Sequence, residues 1–187
     1  MSQKFDVVVI GAGPGGYVSA IRLAQLGKKV ALIEKQKTLG GTCLNWGCIP
    51  SKALLDSSEH YHQACHKFKT HGIELAGIKL NLSQMMKRKQ SVVDNTTQGI
   101  EFLMQKNNVT VITGHAAFQD TTTVTVTADN KTDTVNADHF IIATGSSVTP
   151  LPCVETNGSS IIASNEAISL KKVPQHLIVI GGGVIGV

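Results

Sequence analysis

The sequence predicts an α/β fold in which a parallel β-sheet carries helices on its faces. A short apolar, β-branched run at residues 4–10 leads directly into a glycine-rich motif, and residues with helical spacing follow it. A second apolar run ends at Glu34, and the glycine motif returns at the end of the chain after another apolar run. A strand, a helix and a strand within about 30 residues form a βαβ unit, whose two strands are parallel.

Composition narrows the class of protein. The 187 residues are 42% hydrophobic and 16% charged, which is typical of a globular chain. The net charge is only +4 and aromatic residues make up 4%, so nothing favours a nucleic-acid partner. We expect the densest basic cluster, Lys87 to Lys89, to be a solvated helix face. No apolar run approaches the roughly 18 residues of a membrane span, and none resembles a secretory signal, so we expect a cytoplasmic protein without a membrane partner.

The elements follow from local patterns. We expect strands at residues 4–10 and 28–34, joined by a helix that ends at Gly27. A second helix is predicted to begin near Pro50. A third is predicted from Ser83 to Lys106 with one apolar stripe, which consists of Met85, Val92, Val93, Thr96, Ile100 and Leu103.

Residues 109–136 alternate between apolar and polar types, which predicts an inserted antiparallel β-meander with a turn at Asp129-Asn130. The parallel sheet is then expected to resume in a buried strand at residues 139–146. The sequence thus predicts one domain over residues 1–147. Residues 148–187 would form a connection, then the strand and glycine turn of a second nucleotide-binding domain in which the chain ends.

The glycine motif has the spacing G-x-G-x-x-G at Gly11, Gly13 and Gly16. In a Rossmann-like fold the first glycine permits a tight turn, the second admits a pyrophosphate and the third lets helix and strand pack closely. Glu34 follows at the end of the second strand, where a carboxylate accepts hydrogen bonds from ribose hydroxyls. The pattern predicts a dinucleotide site; the alternative is a glycine-rich turn with an unrelated surface glutamate.

Cys43 and Cys48 flank four residues. They could form a structural disulfide, bind a metal ion, act as a redox couple or be neighbours by chance. In a regular helix their Cα atoms would be about 8.5 Å apart, whereas a disulfide requires at most about 6.8 Å. A bond would therefore need non-helical geometry, which Asn45 and Gly47 would allow. Cys48 would lie near a helix N-terminus, where the helix dipole and Lys52 would stabilise a thiolate.

Zinc is the competing interpretation of the cysteine pair. It needs further ligands, whose spacing here fits no familiar zinc pattern; the candidates are Cys65, His60, His62 and His66. We expect Cys65 and Cys153 to be buried as small apolar residues, and the three histidines to be solvated on a helix face.

Two nucleotide motifs and the segment "GGTCLNWGCIPSKALL" resemble the flavoprotein disulfide reductases. The resemblance implies that the first motif, with Glu34 and Lys35, binds the ADP half of FAD. It places Gly41 and Thr42 along the pyrophosphate and Lys52 near the flavin ring. It places Gly114 beside the adenine, and Thr144 and Gly145 in a second flavin motif. The last motif would begin an NAD site at Gly181, Gly183 and Gly186.

Within that family, "IPSKALL" favours the members that oxidise dihydrolipoamide with NAD. The resemblance implies that Cys43 exchanges with the substrate dithiol and that Cys48 is the flavin-side sulfur. It also implies a dihydrolipoamide group on a lipoyl domain as substrate, 2-oxoacid dehydrogenase complexes as the setting, and a homodimer whose partner supplies a histidine base. None of the seven histidines here matches that motif.

Three alternatives remain open. One is a glutathione- or mercuric-reductase-like enzyme of the same family. Another is an isolated FAD-binding module without turnover of its own. The third is an NAD protein without flavin, in which the cysteines bind zinc or sense redox state.

Overall fold

The computed structural model describes residues 3–187. The chain divides into two compact units. The first consists of the chain up to Asn45 together with Asp94–Ser147, and the second consists of Trp46–Val93 together with Val148–Val187.

The first unit contains one six-stranded sheet with the order β3-β2-β1-β6-β5-β4. Its strands are β1 (Gln3–Ile10), β2 (Val30–Glu34), β3 (Thr110–Thr113), β4 (His115–Phe118), β5 (Thr123–Ala128) and β6 (Lys131–Ile142). Strands β3, β2, β1 and β6 are mutually parallel, whereas β4, β5 and the first half of β6 are antiparallel. The predicted α/β fold with a parallel sheet and an antiparallel insertion is confirmed.

The central strands are covered on both faces, which is why they are apolar without alternation. All five residues of β2 are buried, as are Val7 to Ile10 of β1. A single apolar cluster joins the parallel and antiparallel parts; it consists of Phe5, Val8, Ile10, Ala31, Ile33, Val124, Val126, Val135 and Ala137. The cluster fixes the register of β1 against β2 and β6, and thereby the edge at which the strands end.

Helix α1 (Pro14–Gln25) connects β1 to β2, as predicted. Its C-terminus is closed by a left-handed residue, Gly27, with φ 79°. The amides of Gly27 and Lys28 donate to the carbonyls of Ala24 and Leu23, at 2.9 and 3.1 Å. This is the Schellman pattern, which satisfies carbonyls that the last helical turn leaves without donors.

The predicted meander is wrong in its first strand. Strand β3 pairs in parallel with β2 instead, through Ala31 to Glu34. The meander contains β4, β5 and β6, and its predicted turn is confirmed by positive φ angles at Asp129 (47°) and Asn130 (64°). Two such residues between antiparallel strands form a type I′ hairpin, whose twist matches that of the strands.

Strand β6 is longer than predicted and less buried at its end. Its first half pairs with β5 and its second half pairs with β1. The last strand of the meander and the resumed parallel strand are therefore one continuous strand. The predicted return of the parallel sheet is confirmed at residues 139–142, which pair with β1. The predicted burial and the predicted end near Gly145 are wrong, because β6 ends at Ile142, which is 67% exposed.

The second unit is mainly helical. It contains α3 (Cys48–His66), a 3-10 turn at Phe68–His71 and α5 (Ser164–Ala167). Helix α4 (Leu82–Lys106) contributes residues 82–93 to it. Arg88 joins α4 to α3, because its guanidinium donates to the Asp56 carboxylate at 2.6 Å and to the Ala53 carbonyl at 2.9 Å. Both predicted helices are confirmed, and α3 begins two residues before Pro50.

Three predictions about single residues are wrong. Lys89 is not part of a solvated face: it is 7% exposed, and its ammonium donates to the Ile168 carbonyl at 3.1 Å. Burial lowers the pKa of Lys89. Cys65 and Cys153 are exposed rather than buried, and the Tyr61 hydroxyl has a raised pKa because it is hydrogen-bonded to Cys65, one helical turn away.

The predicted strand before the last glycine motif is also wrong. Residues 176–180 form no strand, and Ile178 is 88% exposed. An isolated apolar run does not form a strand, because a strand requires neighbours to satisfy its backbone groups.

No helix of the described residues 3–187 is both long enough and apolar enough to cross a membrane.

Candidate dinucleotide and redox site

The first glycine motif forms the turn between β1 and α1. Gly11 has φ 100°, and its amide donates to the Ile33 carbonyl at 2.8 Å. A Cβ at Gly16 would overlap the Gly11 carbonyl oxygen, so only glycine allows α1 to begin so close to β1. Gly11 and Gly16 are therefore required to be glycine for the backbone reasons that the spacing of the motif predicts.

The segment that leads to Cys43 lies on this turn. The Gly40 amide donates to the Ala12 carbonyl at 2.8 Å. Gly41 has φ 59°, and a Cβ on it would come within 2.6 Å of the Gly13 Cα. A Cβ on Gly13, in contrast, would meet nothing nearer than the Gly41 Cα at 3.9 Å. Bare backbone thus surrounds an open space above Gly13.

Glu34 is buried, with 7% of its surface exposed. One carboxylate oxygen accepts a hydrogen bond from the Ala12 amide at 2.7 Å, and the other accepts from the Gln36 amide at 2.9 Å. The carboxylate therefore has a structural role that the sequence did not predict, since it ties the glycine turn to the end of β2. Each carboxylate oxygen retains a second lone pair for a ligand hydroxyl.

Gly114 lies beside Glu34. Its amide donates to the Glu34 carbonyl at 2.8 Å, and its φ of 154° suits glycine alone. A Cβ there would come within 2.6 Å of the Val126 side chain, so the position is closed as well as conformationally special. Lys35 follows Glu34 directly and is exposed.

The residues that follow β6 pack against the first glycine turn. The Ala143 amide donates to the Ile10 carbonyl at 2.8 Å, and a Cβ on Gly11 would overlap the Ala143 carbonyl oxygen. Thr144 follows with its Cα 3.1 Å from that Cβ position. Gly145 then turns the chain with φ 74°.

These residues fit a dinucleotide. The first turn of α1 has no side-chain cap and no acidic residue, so its amides and the positive end of the helix dipole face the open space above Gly13. A pyrophosphate is an anion that such amides bind, and the missing Cβ atom at Gly13 leaves room for it. Glu34 stands at the end of β2, as ribose recognition requires. The first unit is therefore a dinucleotide-binding domain in its architecture.

The two cysteines lie on consecutive helices. Cys43 is half-buried in the short helix α2 (Gly41–Trp46), and Cys48 is the exposed first residue of α3. Gly47 separates the helices with φ −135° and ψ −115°, so the predicted departure from helical geometry occurs at this glycine. Asn45 stays helical.

Cys48 lies at the N-terminal end of α3, within the second unit. Residue 48 opens α3, whose first turn has no acidic residue and no side-chain cap. Lys52 is four residues further on, on the same helix face. Among residues 3–187, no three His, Cys, Asp or Glu side chains gather into a group that could hold a metal ion.

The last glycine motif repeats the local geometry of the first, within the second unit. Gly181 has φ 109°, and a Cβ on Gly186 would overlap the Gly181 carbonyl oxygen. The amides of Gly186 and Val187 donate to the Gly183 carbonyl at 3.0 and 3.1 Å, as those of Gly16 and Tyr17 donate to Gly13 at 2.8 and 2.9 Å. The turn is thus formed in the structure although the preceding strand is not.

Sequence reasoning missed several contributors to this site. Gly40, Ala12 and Ala143 act through backbone groups, which no side-chain pattern reveals. The sequence predicts only that Asn45 permits a bend. Its amide in fact donates to the carbonyls of Leu39 and Gly41, at 3.0 and 2.9 Å, and holds the Gly40-Gly41 turn.

The comparisons with known proteins agree with this geometry. The model of the pyridine nucleotide-disulphide oxidoreductase family matches residues 5–187, so the chain belongs to that family. Dihydrolipoyl dehydrogenase of pig mitochondria is 50% identical over 97% of the chain, and that of fission yeast is 51% identical over 98%. A leghemoglobin reductase of cowpea is 50% identical over 99%.

A solved structure is also similar. The flavoprotein disulfide reductase RclA from Escherichia coli, in a Cu(II) complex, matches with a TM-score of 0.78 and 30% identity over 98% of this chain. The chain spans 36% of the length of each of the three curated relatives and 38% of that structure.

Proposed function

We propose that this chain is the FAD-binding, disulfide-carrying part of an NAD-dependent dihydrolipoyl dehydrogenase. The observation that carries the proposal is the open space bounded by Gly13 and Gly41, with the uncapped α1 N-terminus at one side and Glu34 tied to the same turn. The same turn continues within two residues into Cys43. The identity of about 50% to dihydrolipoyl dehydrogenases supports this member of the family.

The amides of the glycine turn and of α1 would bind the pyrophosphate, and Glu34 the adenosine ribose. Lys35, Gly41, Thr42, Gly114, Thr144 and Gly145 would complete the FAD contacts, with Lys52 near the ring. When bound, FAD supplies the two-electron step between a dithiol and the nicotinamide of NAD. The last motif, Gly181 to Gly186, would begin the NAD site.

The cysteines would do the sulfur chemistry. In the oxidised state Cys43 and Cys48 would share a disulfide. One thiolate of dihydrolipoamide attacks the Cys43 sulfur, which forms a mixed disulfide and releases Cys48 as a thiolate. The second substrate thiol, once deprotonated, attacks its own mixed disulfide, releases the Cys43 sulfur and leaves as the cyclic disulfide lipoamide. The base for these deprotonations is expected from a partner subunit, so turnover requires a homodimer with residues beyond this chain.

The proposal for the redox pair is tested by the visible spectrum of the FAD-loaded chain before and after anaerobic addition of a dithiol. We expect the dithiol to produce a long-wavelength band in the wild type. Cys43→Ser should show the band already before the dithiol is added, because it has no Cys43–Cys48 disulfide to reduce, and Cys48→Ser should show no band. A band that survives in Cys48→Ser, or one that is absent from the wild type although FAD is bound, would contradict the assignment.

A binding module without turnover is the second candidate for the chain by itself, because the curated relatives extend well beyond it. It predicts FAD binding without lipoamide-dependent formation of NADH. Production of NADH by the 187-residue chain alone would exclude this candidate.

The compartment is a separate proposal. The sequence favours the cytoplasm, whereas the pig and fission-yeast relatives are mitochondrial by name. Immunodetection in fractionated source cells distinguishes the two locations, and either result leaves the chemistry of the site unchanged.

A further inference from the structure

Two histidines near the C-terminal end of α3 face each other. His62 and His66 are separated by one helical turn, and their ring centroids are 4.7 Å apart with an interplanar angle of 46°. Both side chains are exposed. Residues four apart on a helix point to the same side, so both rings have access to one point in solvent.

Two imidazoles in this arrangement are a chelating pair. Neutral imidazole is a good ligand for Zn²⁺, Cu²⁺ and Ni²⁺, and His residues at i and i+4 of a helix are a recurring way to hold such an ion. The second imidazole is already next to the first, so its binding to a metal on the first is intramolecular and favoured by effective concentration.

The surrounding charge supports a cation at this position. Glu59 lies three residues before His62, on the same side of α3. Its pKa is lowered first by the hydrogen bond from Gln63 and then by the charge of Lys67. Its carboxylate is therefore a negative charge within electrostatic reach of the His62 ring. Lys67, with its ammonium 3.8 Å from that carboxylate, offsets part of this attraction.

We propose that His62 and His66 form a two-histidine site for a divalent transition-metal ion on the exposed surface of α3. No third protein ligand joins them among the described residues, so water completes the coordination. The expected order of affinity is Cu²⁺ above Ni²⁺ and Zn²⁺, with Mn²⁺ weakest. Mg²⁺, which prefers oxygen ligands, does not compete.

The site is separate from the redox cysteine of the same helix. His62 follows Cys48 by 14 residues along α3, a rise of about 21 Å. A metal ion there leaves Cys48 accessible, so the inference does not depend on the proposed redox function. Failure of one leaves the other intact.

Ni²⁺ is a suitable probe, because it binds imidazole and its paramagnetism broadens nearby NMR signals. The test is a Ni²⁺ titration of the ¹⁵N-labelled chain, followed through the amide signals. We expect broadening centred on residues 62–66. Zn²⁺ should displace the Ni²⁺ and reverse the broadening, whereas Mg²⁺ should not. Broadening centred on Cys43 or Cys48 at the same concentrations would overturn the proposal.

Variants separate chelation from independent binding. His62→Gln and His66→Gln should each weaken Ni²⁺ binding by about a hundredfold, and the double variant should lose little more than either single one. The control is His60→Gln, since His60 is exposed on the same helix but lies 3.7 Å from Asp56 and outside the pair. An equal loss in the control, or losses that add in the double variant, would refute a chelate.

Discussion

At the scale of single residues, the neighbouring glycines Gly15 and Gly16 at the start of α1 differ in their tolerance for a side chain. A Cβ on Gly16 would overlap the Gly11 carbonyl oxygen, and neither backbone can yield. A Cβ on Gly15 would meet only the Ala143 methyl at 3.8 Å, which is an ordinary contact. Gly16→Ala should therefore lower the free energy of unfolding by about 1–3 kcal/mol or more.

Gly15→Ala is the matched control for that substitution. Alanine has a higher helix propensity than glycine, so this substitution should change the free energy of unfolding by no more than about 1 kcal/mol and can be stabilising. Urea unfolding of both variants measures the difference. Equal destabilisation by the two substitutions would show that the close approach of α1 to β1 is misplaced.

Lys89 gives a prediction that depends on pH. Burial lowers its pKa, so between that lowered value and the usual value near 10.4 the unfolded chain binds more protons than the folded chain. Stability from this residue therefore rises with pH through that window, and the cost of burying the charge is fully present below it.

The measurement is the free energy of unfolding of the wild type minus that of Lys89→Met, at several alkaline pH values. The difference should shift in favour of the wild type as pH rises. Lys87→Met, at an exposed position, should show no such trend. A difference for Lys89→Met that does not vary with pH would mean that the ammonium is solvated.

At the scale of elements, the turn before α2 depends on one amide side chain. Asn45 donates to the carbonyls of Leu39 and Gly41 and accepts from the Thr38 hydroxyl at 2.8 Å. Asn45→Ala should cost about 1–3 kcal/mol, because two carbonyls lose their donor. It should also weaken FAD binding, since Gly41 bounds the space above Gly13.

Thr38→Val is the control for Asn45. It removes one exposed hydrogen bond, for which we expect about 1 kcal/mol or less. Denaturant unfolding and FAD titration report the two consequences separately. If Thr38→Val were as harmful as Asn45→Ala, the carbonyl contacts would not be what holds the turn.

Local pattern predicted the elements better than their pairing. Strands β1 and β2 and helix α1 were predictable because apolar runs and glycine caps act within a few residues. Strand β3 was assigned to the wrong part of the sheet because its short apolar run suits a parallel or an antiparallel neighbour equally. Only contact with β2, about 80 residues earlier, decides between them.

Burial was the other limit of sequence reasoning. The sequence groups Lys89 with its charged neighbours, but the carbonyl that accepts its hydrogen bond belongs to Ile168, far along the chain. The apolar run at 177–180 predicts a strand, but composition cannot show whether partner strands are present. Of the candidate site, the glycines and Glu34 were predictable from spacing, whereas the hydrogen bond from Ala12 to Glu34 was not.

At the scale of the whole molecule, the proposed dinucleotide site is formed mainly by backbone groups. Each of the two units contains one glycine motif, and the turns of the two motifs have the same local geometry. The first turn has Glu34 and the Gly40-Gly41 segment around it. The second lacks comparable neighbours among the described residues, so we expect this chain to bind FAD at the first turn and to bind NAD weakly or not at all.

The most direct test of that central claim is an FAD titration of the wild type against Gly13→Ala, followed by quenching of flavin fluorescence. Gly13 has φ −69° and open space at its Cβ position, so alanine there should preserve the fold. Its methyl group would occupy the place proposed for the pyrophosphate. We predict tight FAD binding by the wild type and a loss of at least about a hundredfold in Gly13→Ala, with unfolding free energies within about 1 kcal/mol of each other. Unchanged FAD affinity in a folded Gly13→Ala would contradict the site.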